Sequence, residues 1–485
     1  MANPIKQLLG QTAVYGLSSI VGRLLNYLLV PLYTAVFANP SDYGVVSELY
    51  AWVAFLVVLL TFGMETSFFR FLQDKEDKEK VFVNSFLTVI GINVLFFAVL
   101  LFFNQNIADL MLYSDHNEYI ILLGAIVCVD AVTALPLAKL RAENKAFKFA
   151  GIQMSSIAVN ILLNLVFMLG LFDPARPEEG VLFILFANLF ASLVKPILLY
   201  KHFLHLRFNF DSTLAKEMLK YAFPLVIAGF AGIINETLDR ILLKHILYDG
   251  TTQVSLKIAE AQVGIYSACY KLAMLVTILL QAYRYAAEPF FFAQLKNQDK
   301  NKVYAKVMNV FIAMVCLVFL VVSLNIDFFK LFIRNEAYYV GLKVVPILLL
   351  ANVFLGIYYN QSIWYKLSGQ TKFGAYIAIG GAILTVVLNV VFIPLYGYMA
   401  SAWATLIVYA SQMVASYLLG QKHYPIAYNL RKFMLYLVGA LCLYFISTVE
   451  LFSSFLVKTI LNNGLILIYL LLVYKLEKSL FRKTA

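Results

Sequence analysis

Between residues 217 and 247 the sequence EMLKYAFPLVIAGFAGIINETLDRILLKHIL is apolar over a membrane-spanning length, yet its second half carries Glu236, Asp239 and Arg240. An ionisable side chain near the centre of a bilayer costs roughly 2.5–3.5 kcal/mol on insertion scales, so it faces a protein interior or a wet cavity and takes a partner there. Glu236 and Arg240 stand four apart, on one helix face. Two chemistries fit: a self-neutralising pair that fixes helix packing, or a cavity-lining cluster that meets an anionic head group or a coupling cation. Other charges at comparable depth favour the second.

Among those charges, Arg23 sits about midway along the first apolar run and Lys271 about ten residues into the eighth. Arg70 and Arg284 fall at the expected inner ends of the second and eighth runs, where snorkelling to the interface is an equally simple account. Glu65 lies five before Arg70 and Glu288 four after Arg284, so each acid is either a structural partner of its arginine or a carrier of a proton or sodium ion, the usual work of acids inside membranes. Asp130, Lys195, Asn160 and Asn164 are also intramembrane and read as packing or interface residues.

The elements that must position these groups are transmembrane helices. With 62% hydrophobic and only 13% charged residues and a mean hydropathy of +0.81, the chain cannot be a soluble globule. Apolar runs of spanning length fall near 9–37, 44–72, 81–103, 118–138, 149–171, 180–203, 217–243, 261–288, 304–325, 342–365, 373–395, 397–419, 432–450 and 453–474. The expected fold class is therefore an all-α polytopic membrane protein of fourteen transmembrane helices. The net charge of +11 does not signal nucleic acid, because the basic residues are dispersed through short loops. With both termini inside, inner segments hold 25 Lys and Arg and outer segments 6, an asymmetry that places the N-terminus in the cytoplasm. The start, MANPIKQLLGQ, lacks the features of a cleaved secretory signal, so the first span is expected to be retained. Cys128, Cys269, Cys316 and Cys442 lie singly, and His202 and His205 have no companion ligands, so no metal site is expected.

The chain also matches itself. A shift of 220 aligns 41–52 with 261–272, pairing Gly44 with Gly264, Ser47 with Ser267 and Tyr50 with Tyr270; a shift of 225 pairs Asn164 with Asn389; a shift of 217 pairs Gly180 with Gly397 and Ala187 with Ala404. Three matches in one order argue for two copies of a six-helix unit, related by an axis along the membrane normal because six is even, with a cleft between them. The expected division is 1–210, 211–420, and 421–485 for helices 13 and 14 with a cytoplasmic tail. Spans 1, 2, 7 and 8 would then face the cleft, bringing Arg23, Arg240 and Lys271 near it.

The YAFPL start at 221–225, NETLDRILL at 235–243, VGIYSACYKLA at 263–273 and LNVVFIPLYGYMASAWAT at 388–405 resemble the oligosaccharide-lipid exporters of the multidrug/oligosaccharidyl-lipid/polysaccharide flippase superfamily over nearly the whole chain. Asn389, Pro394, Gly397, Ala404 and Thr405 fit the family pattern, whereas Met399, Ala400 and Ser401 replace its usual second glycine and paired alanines. The resemblance implies a two-lobed flippase, not an enzyme, that turns an undecaprenyl-pyrophosphate-linked oligosaccharide from the cytoplasmic to the outer leaflet of the bacterial inner membrane during O-antigen, capsule or related polysaccharide synthesis. Drug exporters and the lipid II flippase share the fold.

On that resemblance a pyrophosphate head crossing a low-dielectric region needs Arg, which grips it in a bidentate fork, or Lys, a point charge. Arg23, Arg240, Lys271, Arg284 and Arg70 are the expected substrate contacts. Glu236 and Asp239 of span 7, with Asn389 and Thr405 of spans 11 and 12, resemble the set that holds sodium in some relatives, and oxygen donors suit a hard cation; Glu65 and Glu288 complete the coupling candidates. No bound cofactor is expected beyond sodium or a proton, and the chain is expected to act as a monomer among membrane lipids, with a polysaccharide polymerase or glycosyltransferases of the same pathway as partners. A multidrug antiporter would favour a more acidic cavity. A glycosyltransferase or polymerase would carry sizeable outer loops, which are missing here.

Overall fold

The computed structural model describes residues 20–201, 209–294, 298–449 and 454–478. Lys6, His202, His205 and the first part of the expected first span lie outside them, as does the side chain of Glu288. Among the described residues every regular element is helical. Among the described residues thirteen helices are long and apolar enough to cross a membrane, and the shorter apolar helix Ile20–Val36 makes the fourteenth. Numbered in chain order, span 1 is Ile20–Val36, span 2 Pro40–Gln73, span 3 Lys78–Phe102, span 4 Asn117–Ala142, span 5 Ala146–Leu171, span 6 Pro177–Leu198 and span 7 Ser212–Leu247. Span 8 is Gln253–Arg284, span 9 Lys300–Leu324, span 10 Glu336–Leu367, span 11 Lys372–Tyr396, span 12 Tyr398–His423, span 13 Leu430–Thr448 and span 14 Phe455–Leu476.

Span 8 begins eight residues before its sequence-based boundary. The stretch near 244–260, with Lys257, read as an outer connection, but the helix runs through Lys257 and Glu260, and Glu260 is buried. Lys244, which the sequence-based topology assigns to the 6 outer basic residues, is likewise inside span 7 and only 1% exposed. Removing it from the outer count strengthens the charge asymmetry.

Contacts divide the chain into two compact units, Met1–Gly264 and Ile265–Ala485. The expected boundary near 210 does not coincide with that division, because span 7 and the first turns of span 8 are tied to spans 2 to 4 by polar groups and close backbone contact. In the first unit, local sequence starts the helices: Asn39 accepts from the Ser41 amide with Pro40 at the first helical position, and the Asp77 and Asp211 carboxylates accept from amides two or three residues on. Met64, Phe68, Phe82, Phe86, Leu135, Met218 and their neighbours from spans 2, 3, 4 and 7 form one core. Lipid supplies no hydrophobic drive between helices, so packing and cross-span hydrogen bonds hold them together. Ser67 Oγ donates to the Met218 carbonyl at 3.1 Å, Tyr33 Oη to Asn164 Oδ1 at 2.8 Å, and Lys195 pairs with Asp130 at 2.9 Å.

Spans 2 and 8 cross at backbone distance within this unit. A Cβ at Gly44 would stand 1.9 Å from the Glu260 carbonyl oxygen, and one at Gly264 would stand 1.9 Å from that of Pro40. Pro40 with Glu260 and Gly44 with Gly264 are both related by the 220-residue shift, so the repeat noticed in the sequence meets itself here. Only glycine permits an approach this close.

In the second unit Tyr304 of span 9 and Trp364 of span 10 anchor a core with Phe291, beyond span 8, and Ile426, between spans 12 and 13. Asn352 Nδ2 donates to the Ala273 carbonyl at 3.0 Å. Spans 11 and 12 turn at Gly397, whose φ of 54° suits glycine. Spans 13 and 14 belong to this unit: Lys432 and Tyr436 both donate to Glu477 at 2.7 Å, and Lys458 pairs with Asp327 at 3.0 Å.

Candidate functional site

Glu236, Asp239 and Arg240 lie in span 7, which runs unbroken through Pro224. Asp239 and Arg240 are buried, whereas Glu236 is exposed. Arg240 Nη1 reaches Asp239 Oδ1 at 3.1 Å and the Glu236 backbone carbonyl at 2.9 Å. The four-residue spacing therefore brings Arg240 back onto the Glu236 main chain, and the carboxylate that neutralises it is Asp239. Arg240 is engaged inside the first unit.

Arg23 is exposed on span 1 and Arg70 is exposed at the inner end of span 2. Glu65 pairs with Arg141 of span 4 rather than with Arg70. Residues five apart are rotated by roughly 140° around a helix, which puts Glu65 and Arg70 on different faces. The Arg141 guanidinium also lies 5.2 Å from the Phe69 ring and 5.7 Å from that of Phe149. In the second unit Lys271 is half-buried, 18 residues after Gln253 and so deeper in span 8 than its sequence-based boundary implied. Arg284 is exposed and stacks 4.3 Å from the Tyr359 ring. Asn389 is fully buried, donating to the Thr385 carbonyl at 2.8 Å and accepting from Ser401 Oγ at 2.8 Å, while buried Thr405 donates to the Ser401 carbonyl at 2.9 Å. Its repeat mate Asn164 is equally buried, in the first unit.

Among the described residues, the two most deeply buried charges were not among the sequence-based candidates. Glu48 of span 2 and Lys244 of span 7 are each 1% exposed and meet at 2.9 Å. Glu260 of span 8, 8% exposed, stands 3.6 Å from Lys244. Tyr113 donates to Glu48 Oε2 at 2.6 Å and Trp52 to its Oε1 at 3.2 Å, while the Lys244 ammonium lies 3.3 Å from the Tyr113 ring and donates to the Met111 carbonyl at 3.0 Å. The three charges come from three spans, adjoining the glycine crossing.

With this geometry in view, comparison with known proteins is decisive on family. Residues 8–294 match the family model described as polysaccharide biosynthesis protein. The chain belongs to that family. The match covers spans 1 to 8, and with them Arg23, Glu48, Arg240, Lys244, Glu260 and Lys271. Within curated proteins it is 24% identical over 266 residues to an uncharacterized membrane protein of Haemophilus influenzae, covering 52% of this chain and 62% of that protein. The chain thus spans less than two thirds of that relative's length. Among solved structures, the lipid II flippase MurJ in its inward closed conformation superposes with a TM-score of 0.73 at 16% identity, covering 96% of this chain and 99% of that one. A multidrug resistance MATE family transporter of the MOP superfamily, inward-facing, gives 0.61 at 16% identity over 85% and 94%. These likenesses establish the fold. The family member is a multi-pass membrane protein with a MurJ- and MATE-like helical architecture.

In the sequence of this family member only spacing marks two of the three buried charges, and it does not separate them from interface residues. Glu48 stands four residues before Trp52 inside an apolar run, and Lys244 four residues after Arg240. Both sit near helix ends, where a charge ordinarily reaches the interface. Lys244→Met is expected to strand Glu48 and Glu260 and to lower stability by about 3–5 kcal/mol, the cost of breaking a buried pair from one side. Thermal unfolding of the detergent-purified protein measures it; an unchanged midpoint would contradict the burial described here.

Proposed function

We propose that this polysaccharide biosynthesis family member is a flippase that moves undecaprenyl-pyrophosphate-linked oligosaccharide from the cytoplasmic to the outer leaflet of the bacterial inner membrane by alternating access, serving O-antigen, capsule or related envelope polysaccharide synthesis, with both termini in the cytoplasm. The observation that carries the reading is Arg23: a guanidinium exposed on an otherwise apolar membrane helix. Hydrocarbon penalises that placement, so the side chain faces water or an anion. Arg23, Lys271, Arg284 and Arg70 are the cations assigned to the pyrophosphate. Arg240, which pairs with Asp239, is the fifth cation assigned to it. Glu236 and Asp239, Asn389 and Thr405, Glu65 and Glu288 stay as the coupling candidates, for sodium or a proton.

The likeness to a lipid II flippase favours one second reading, in which the cargo is lipid II; both cargoes present a polyprenyl pyrophosphate to the same cations. Deleting the gene and analysing the lipid-linked intermediates that accumulate separates the two. An undecaprenyl-linked oligosaccharide of envelope type supports the proposal, lipid II supports the second reading, and no accumulated lipid-linked glycan overturns both.

A further inference from the structure

The Glu48–Lys244–Glu260 cluster holds two carboxylates and one ammonium in a site almost closed to water. Fully ionised, it would bury one net negative charge, which a low-dielectric interior strongly disfavours. The two acids are not equivalent. Glu48 accepts from Lys244, Tyr113 and Trp52, a full set of donors for an anion. Glu260 has its ammonium contact at 3.6 Å, beyond hydrogen-bond length. A metal cation does not resolve the imbalance, because the Lys244 ammonium already occupies the space between the carboxylates; among the described residues no group of His, Cys, Asp and Glu could hold a metal ion. Charge balance requires one proton, and Glu260 is the acid able to take it.

Glu260 also sits where spans 2 and 8 touch, its own carbonyl oxygen being the atom a Cβ at Gly44 would strike. We propose that Glu260 is a proton-binding site, occupied while these ends of spans 2 and 8 are in contact and emptied to water when they part. On parting, the Glu260 O–H bond breaks and its proton passes to water on the side that the basic-residue asymmetry assigns to the cell exterior. The contacting state binds more protons, so raising the outer pH favours the parted state. Around the site stand Asp42 of span 2, Tyr113 before span 4, Glu118 and Tyr119 of span 4, Glu178 of span 6, His245 of span 7 and Lys257 on span 8 itself. Of these, Asp42 is a further acid acting on Glu260 and strengthens the demand for the proton, whereas Glu118 and Glu178 face Tyr119 and Lys257 faces Asp42.

Infrared spectroscopy of the purified full chain in lipid nanodiscs reads this without any glycan, so its outcome is separate from that of the flippase reading. Wild-type protein at neutral pH is expected to show the carbonyl stretch of a protonated carboxylic acid in an apolar site. Glu260→Gln should lose that band, and Glu260→Asp should shift it. Gly264→Val, which forces the spans apart with all three charges intact, should lose it as well. A wild-type spectrum without the band, or a band that survives Glu260→Gln unchanged, overturns the site; a band retained in Gly264→Val overturns its link to the contact. Wild type alone decides the first question if no variant inserts.

Discussion

Gly264→Val is expected to insert into the membrane yet cut glycan export roughly 5- to 150-fold. The physical reason is the crossing of spans 2 and 8, where a Cβ at Gly264 would stand 1.9 Å from the Pro40 carbonyl oxygen. Carbon–oxygen contacts close to about 3.3 Å at best. The helices must therefore separate by more than an ångström, and overpacking of a close-packed contact costs about 1–3 kcal/mol. A two-state equilibrium biased by that much shifts by roughly 5- to 150-fold. Gly44→Ala meets the Glu260 carbonyl in the same way and is expected to behave alike. Gly91→Ala in span 3, where nothing lies within 4 Å of the added carbon, supplies the control and should export as wild type does. Complementation of a deletion strain, with membrane insertion checked by blotting, measures all three. Full export by both Gly264→Val and Gly44→Ala would show that the crossing is dispensable.

Neutralising Arg23 or Lys271 is expected to abolish export while leaving the protein inserted. Arg23 is exposed and Lys271 half-buried. Losing a hydrogen bond to a charged group costs about 1.5–3 kcal/mol, and each 1.4 kcal/mol is about tenfold in binding. Arg23→Ala and Lys271→Ala should each weaken the hold on a pyrophosphate by roughly 10- to 150-fold. Arg23→Lys should fall between, because an ammonium keeps the charge and loses the bidentate fork. Arg240→Ala carries a different expectation, since it removes the guanidinium paired with buried Asp239 and damages folding along with function.

The helices themselves were legible because a bilayer demands long apolar runs, and fourteen of them stood clear in the sequence. Gly44 and Gly264 were visible as a repeat, but that they oppose each other across one crossing emerges only in the folded protein. The partner of Glu65 was not legible: Arg141 is 76 residues away, and proximity in sequence pointed to Arg70 instead. Lys244 and Glu260 were hidden for a further reason. A charge near a helix end reads as loop or interface, and only tertiary packing on three sides makes it a core residue. The boundary near 210 followed the repeat, whereas contacts follow the charge cluster and the glycine crossing, which tie spans 7 and 8 to span 2.

The central claim is that exposed intramembrane cations carry a phosphorylated lipid head across the bilayer. Reconstitution into vesicles with a fluorescent undecaprenyl-pyrophosphate oligosaccharide, followed by quenching from outside, measures that movement directly. The account predicts rapid transbilayer exchange with wild-type protein, and exchange close to that of protein-free vesicles with Arg23→Ala. Equal exchange by wild type and by a correctly inserted Arg23→Ala and Lys271→Ala double variant would contradict it.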